Sequence, residues 1–67
     1  MKFSERLKEL RVETKLTQTE LAKAFNVDQT TIKNWENGIN ETDFKTLIKL
    51  ADFFGVTTDY LLGYSEL

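Results

Sequence analysis

Between Gln29 and Asn37 the chain carries Gln29, Thr30, Lys33, Asn34 and Asn37 at spacings that bring them to one side of a helix. Glutamine and asparagine hold a donor and an acceptor side by side, so each can pair bidentately with the edge of an adenine. Threonine can meet a thymine methyl or a phosphate, and lysine can reach guanine or phosphate. No acid falls between Asp28 and Glu36, whereas an ordinary solvated helix face mixes Glu with Lys in i,i+4 pairs. Such a set is suited to hydrogen-bonded recognition. Bond-making chemistry finds little to work with. The chain has no Cys and no His, and its two serines, Ser4 and Ser65, lie near the termini without a base. There is no glycine-rich phosphate loop, and the carboxylates sit beside Lys or Arg as solvated pairs. We therefore expect a binding protein, not an enzyme, with no cofactor, no metal and no small-molecule site.

These residues need a scaffold, and the hydrophobic pattern supplies an all-α one. No useful length of sequence alternates with period two, proline is absent, and each of Gly38, Gly55 and Gly63 follows an apolar-periodic segment, where a helix C-terminus favours glycine. Five helices are expected. The first spans about Ser4 to Lys15, with Phe3, Leu7 and Leu10 on one face. The second starts at Thr17, where Thr17-Gln18-Thr19-Glu20 forms a capping box, and turns Leu21, Ala22 and Phe25 inward. The third spans about Asp28 to Asn37, capped by Asp28, with Ile32 and Trp35 inward. The fourth runs from Thr42 or Asp43 to Phe54, with Phe44, Leu47, Leu50, Ala51 and Phe54 at helical spacing. The fifth is short and capped by Thr57, with Asp59 in its first turn and Tyr60, Leu61 and Leu62 as apolar bulk.

Only Asn26-Val27-Asp28 separates the second and third helices. So short a link suits two helices that cross steeply. Asn26 takes the turn's first position, where a positive φ is usual and Asn is the most tolerant residue after Gly. Ala22 is small where the two helices come closest, and Val27 plugs the turn into the core. Residues 17–37 thus read as a helix-turn-helix.

The stretch LTQTELAKAFNVDQTTIKNWENG, with FSERLKELR before it and LIKLADFFGVTTDYLLG after it, resembles the Cro/CI-type helix-turn-helix family, also called XRE or lambda-repressor-like. The resemblance covers residues 3–63. It implies a compact five-helix domain whose second and third helices bind the major groove of double-stranded operator DNA. It also implies a bacterial or phage-encoded regulator working at the nucleoid, most simply a repressor that binds a palindromic operator as a homodimer. By this resemblance Gln29, Thr30 and Asn34 match base-reading positions, with Lys33 beside them. Gln18 matches a phosphate clamp that sometimes touches a base edge, and Thr31 and Asn37 match backbone-contacting positions. Lys45 adds a further candidate phosphate contact. Arg11 and Glu36 match a structural pair tying the first helix to the end of the third. Two departures stand out. Asn26 replaces the commoner Gly. The loop Gly38-Ile39-Asn40-Glu41-Thr42 also lacks the basic residues and proline usual there, which weakens the expected phosphate contacts.

Size and charge bound this reading. Sixty-seven residues make one domain, taken as 1–67, with a small core that rarely supplies more than about 3–5 kcal/mol. Net charge is −2, unlike the basic footprint of most nucleic-acid binders. The acid is concentrated in the second half: residues 1–37 hold seven Lys/Arg against six Asp/Glu, and residues 38–67 hold two against five. No apolar run approaches signal-peptide or membrane-span length, which points to the cytoplasm and away from membranes. Phe53, Phe54, Tyr60, Leu61, Tyr64 and Leu67 exceed what a small core can hide. We take Phe53, Tyr60, Leu61 and Tyr64 as candidates for a dimer patch. Two alternatives stand beside the main reading: the DNA-binding domain of a longer repressor or antitoxin, and a protein-interaction module using the apolar C-terminal helices.

Overall fold

The computed structural model describes residues 2–66, and within them every regular element is a helix. The elements are α1 (Lys2–Glu13), α2 (Gln18–Phe25), α3 (Gln29–Glu36), α4 (Phe44–Phe54) and α5 (Thr58–Leu62). α1 packs on α3 and α5, α2 on α3, and α4 on α5. Phe3, Leu7 and Leu10 of α1 meet Leu21 and Ala22 of α2, Ile32 and Trp35 of α3, Leu47, Leu50 and Ala51 of α4, and Leu61 of α5 in one buried cluster. α1, α3 and α4 contribute residues three or four apart on one face, whereas α2 adds the adjacent Leu21 and Ala22 and α5 adds Leu61, so all five helices meet in a single core.

The ends of these helices are written in local chemistry. Thr17 caps α2 through a complete capping box: its hydroxyl accepts from the Glu20 N–H at 3.0 Å and its own N–H donates to Glu20 Oε1 at 2.8 Å. Asp43 accepts from Thr46 N–H at the start of α4, and Thr57 accepts from Tyr60 N–H at the start of α5. Asp28 departs from expectation. It occupies the N-cap position of α3, but its side chain makes no capping hydrogen bond. Only its backbone carbonyl engages the helix, accepting from Thr31 N–H.

α1 begins and ends two residues earlier than the apolar spacing suggests. Thr14 turns its hydroxyl back onto the carbonyls of Leu10 and Arg11, both at 2.9 Å, and Lys15 adopts a left-handed φ of 61°. Side-chain bonding of this kind competes with helix propagation, and the chain leaves the axis before Lys15. At the other end of the molecule the α5 C-cap, Gly63, has φ 86° and packs directly on Lys2. A Cβ there would collide with the Lys2 side chain, so only glycine lets the tail close over α1. Arg6 fastens the same junction. Its guanidinium donates to the carbonyls of Tyr60 and Ser65 at 3.0 and 3.1 Å and lies 4.1 Å above the Tyr60 ring.

Two apolar assignments are corrected by the packing. Phe44 is the first residue of α4, one turn before the helix reaches the core, and is 85% exposed. Leu61, expected on a dimer patch, is fully buried in the core. The short α5 packs against both α1 and α4, and Leu61 joins the core from it. Leu67 lies outside the described residues.

Candidate nucleic-acid interface

α2 and α3 are joined by the turn at Asn26. Its φ and ψ of 56° and 44° are left-handed, and Val27 N–H donates to the Ala22 carbonyl at 3.0 Å. Ala22 is buried where the chain folds back. It belongs to the core cluster with Leu21 and Ile32, so a larger side chain there would have to displace packed neighbours. Ile32 and Trp35 hold α3 to the core from behind, with Glu36 buried beside them. At about 100° of rotation per residue, Lys33, Asn37, Thr30 and Asn34 then occupy the opposite arc, and Gln29, about two turns before Glu36, stands at its edge on the Glu36 side. Gln29, Thr30, Lys33 and Asn37 are exposed, Asn34 is half-buried, and Thr31 sits on the shoulder between the two faces. Among the described residues the side chains of Thr30, Lys33 and Asn34 form no intramolecular hydrogen bond, so their donors and acceptors are open to a ligand.

Behind this face runs a polar chain across three helices. Arg11 grips Glu36 through both carboxylate oxygens: Nε donates to Oε2 at 2.6 Å and Nη2 to Oε1 at 3.0 Å. The Glu36 side chain is only 1% exposed and that of Arg11 12%. Hydrogen bonds donated to Glu36, assisted by its charge, raise the Arg11 pKa against the opposing effect of burial. The third Arg11 nitrogen donates to the Leu16 carbonyl at 2.8 Å, which ties down the α1–α2 turn. Glu36 Oε1 also accepts from Gln18 Nε2 at 3.1 Å, and Gln18 Oε1 accepts from Gln29 Nε2 at 2.5 Å. Gln18 is thus half-buried at the start of α2 and already engaged on both ends of its amide. Lys45 is exposed in the first turn of α4, separate from this chain.

Of the residues singled out in the sequence, the structure gathers Gln18, Gln29, Arg11 and Glu36 into one network, and sets Thr30, Lys33, Asn34 and Asn37 beside it. Tyr60 is half-buried beneath Arg6, whereas Phe53 and Tyr64 are 48% and 85% exposed. Phe53 also packs edge-on against Phe25 and Phe54. Sequence reasoning missed the Gln18–Gln29 and Gln18–Glu36 bonds. The amide types at the starts of both helices were the available signal, but their meeting depends on the crossing of α2 and α3. It also missed Arg6, whose partners lie more than fifty residues away. Among the described residues, no helix is long and apolar enough to cross a membrane.

Comparison with known proteins places this geometry. A family profile described as Helix-turn-helix matches residues 7–61. The HTH-type transcriptional regulator ImmR of Bacillus subtilis is 39% identical over 66 residues, covering 98% of this chain and 52% of the relative. The HTH-type transcriptional activator BcrR of Enterococcus faecalis is 40% identical over 67 residues, covering 100% of this chain and 33% of the relative. The cryptic phage CTXphi transcriptional repressor RstR of Vibrio cholerae is 38% identical over 64 residues, covering 96% and 58%. The chain therefore spans between a third and three-fifths of the length of these relatives. With a five-helix all-α architecture and a left-handed turn at Asn26 between α2 and α3, the chain belongs to the Cro/CI-type (XRE) helix-turn-helix family.

Proposed function

We propose that this chain is the sequence-specific DNA-binding domain of a transcription regulator, and that α3 enters the major groove of operator DNA. The observation that carries this is the division of α3 into two faces. Ile32, Trp35 and Glu36 are buried, Thr30, Lys33, Asn34 and Asn37 stand opposite, and Gln29 lies at the edge of that polar face, which carries amide, hydroxyl and ammonium groups. In this reading Gln29, Thr30, Lys33 and Asn34 contact base edges, and Gln18, Thr31, Asn37 and Lys45 hold phosphates. The base contacts confer specificity and the phosphate contacts set register.

The relatives carry the words regulator, activator and repressor in their names. Repression is the simplest use of such a domain, since occupying a promoter is enough to block it. A palindromic operator requires two copies of α3 about 34–36 Å apart, so the domain acts as a homodimer on DNA, at the bacterial nucleoid in the cytoplasm. Phe53 and Tyr64, with Tyr60 at the edge, are the patch residues that the fold leaves accessible for that contact.

Selection of bound fragments from a random DNA pool tests this directly. The expected result is one enriched sequence with two-fold symmetry and half-sites one helical turn apart. Retention that does not fall as salt rises, with no enriched sequence, would instead mark a protein-interaction module.

A further inference from the structure

The N-caps of α2, α3, α4 and α5 share one backbone conformation, with φ between −74° and −82° and ψ between 151° and 166°. At Thr17, Asp43 and Thr57 the side chain closes onto a free N–H of its own helix. Asp28 has the same backbone and a residue type that caps well, yet its carboxylate makes no such bond. Among the described residues it meets no Lys or Arg either. The residue is exposed beside Gln29 and Thr30, at the leading end of α3. An acid in this place repels phosphate, so it weakens binding to any DNA unless a base compensates it.

We infer that Asp28 is a specificity-determining residue, which selects cytosine by accepting a hydrogen bond from its N4 amino group in the major groove. In a helix-turn-helix the N-terminal residues of the second helix meet the base edges, and Asp28 stands directly before the first of them. An ionised carboxylate has no hydrogen to give. Its partner must therefore be a base-edge donor, and the major groove offers only two, the amino groups of cytosine N4 and adenine N6. Adenine carries the N7 acceptor next to its donor, and that lone pair faces the second carboxylate oxygen. Cytosine presents N4 with no acceptor on its own edge. Guanine, with O6 and N7, and thymine, with O4, present acceptors and are rejected. The carboxylate thus lowers affinity for DNA at large and restores it where an amino group is in place. Gln29, Thr30 and Asn34 both donate and accept, so they cannot impose so one-sided a choice. This inference rests on α3 reading the major groove.

The test is selection of bound fragments from a random pool by the full chain and by Asp28→Ala. Competition binding then compares the four bases at the position where the two selections differ. The parent chain is expected to hold cytosine at one position of each half-site by roughly 5- to 100-fold over guanine or thymine, the range of one mismatched pair. Asp28→Ala is expected to bring that ratio below about threefold. It should also raise affinity for random DNA about two- to fivefold, since one screened like charge is removed. Because the carboxylate caps nothing, the melting temperature should not change. If Asp28→Ala is nevertheless unfolded, Asp28→Asn decides, since Asn caps as well as Asp and its amide suits adenine. Selection should then move from cytosine toward adenine at the same position. The same base preference in either folded variant overturns the inference, whether affinity for random DNA rises, which would leave Asp28 a repulsive charge alone, or the melting temperature falls, which would make it a cap. A parent chain that enriches no sequence would instead remove the major-groove reading itself, a separate failure.

Discussion

Arg11 and Glu36 stand 25 residues apart in the chain and meet through two hydrogen bonds on the protected side of α3. The contact fixes where α3 ends relative to α1, and so how far the polar face projects. Both side chains are nearly out of water, and the separation of their charges is compensated only by each other, Gln18 and the Leu16 carbonyl. Removing one partner strands the other. Arg11→Ala is expected to cost about 3–5 kcal/mol, which is comparable to the whole stability of a domain this small. Thermal melting followed by circular dichroism should show most of the cooperative transition lost. DNA binding should fall in proportion to the folded fraction. Unchanged melting with abolished binding would contradict the structural role.

The turn between α2 and α3 makes a second, smaller demand. Asn26 is left-handed, and Gly tolerates that conformation without the strain a Cβ introduces. Asn26→Gly should leave stability within about 0.5 kcal/mol, with lost strain offset by a more flexible unfolded chain. Asn26→Val should lose about 1–2 kcal/mol. Urea midpoints of the two variants provide the comparison. Equal midpoints would show that the turn is less constrained than its φ implies.

The contrast between these two sites bears on what could be read from residue types alone. The capping box at Thr17 and Glu20 and the left-handed Asn26 depend on neighbours within four positions, so their chemistry is local and visible in sequence. Phe44 and Leu61 are different. Both fit an apolar helical spacing, yet one ends in solvent and the other in the core, because periodicity defines a face without saying how much of it a neighbour covers. The early end of α1 turned on where the Thr14 hydroxyl went, a choice between two conformations that propensity alone does not rank. The polar face of α3 was legible because its buried partners, Ile32 and Trp35, are unambiguous. The Gln18–Gln29 bridge was not, because it exists only once two helices have crossed.

Acid should weaken the helix starts in a defined order of sign. The Glu20 carboxyl is held below its ordinary value of 4.5 by hydrogen bonds from the Thr17 backbone and side chain. The Asp43 carboxyl is held below 3.8 chiefly by its hydrogen bonds from Thr46. For both, the folded state binds the proton less readily than the unfolded state. Their stabilisation is therefore present above the ordinary values and disappears as pH falls through the lowered ones. Melting temperature should decline below about pH 4.5. Glu20→Gln and Asp43→Asn should flatten that decline and lower the plateau at neutral pH. An acid limb as steep in the double variant as in the parent would place the titrating groups elsewhere.

Leu61 and Tyr64 lie three residues apart and should respond oppositely. Leu61→Ala opens a cavity in the core and is expected to cost about 2–5 kcal/mol. Tyr64 is 85% exposed, so Tyr64→Ser should leave the melting temperature of the domain unchanged. If Tyr64 belongs to a dimer patch, sedimentation of the variant on operator DNA should show single occupancy at concentrations where the parent binds in pairs. Paired binding by Tyr64→Ser together with Phe53→Ser would exclude this patch.

Lys45 and Gln29 separate the two ways a protein can hold DNA. Lys45 is an exposed ammonium in the first turn of α4, and as a phosphate contact it would neutralise one charge whatever the sequence. Lys45→Gln should therefore weaken binding about equally on operator and random DNA, and reduce the slope of log K against log salt by about 1. Gln29 carries no charge, so Gln29→Ala should leave that slope intact. It should instead cost about 1–3 kcal/mol on the operator alone and relax preference at one position of each half-site. Titrations of both variants at several salt concentrations, on operator and random duplexes, distinguish the roles. Equal losses on both DNAs for Gln29→Ala would reassign it to the phosphates. An unchanged slope for Lys45→Gln would move the fourth helix away from the backbone, leaving α2 and α3 as the sole contact with DNA.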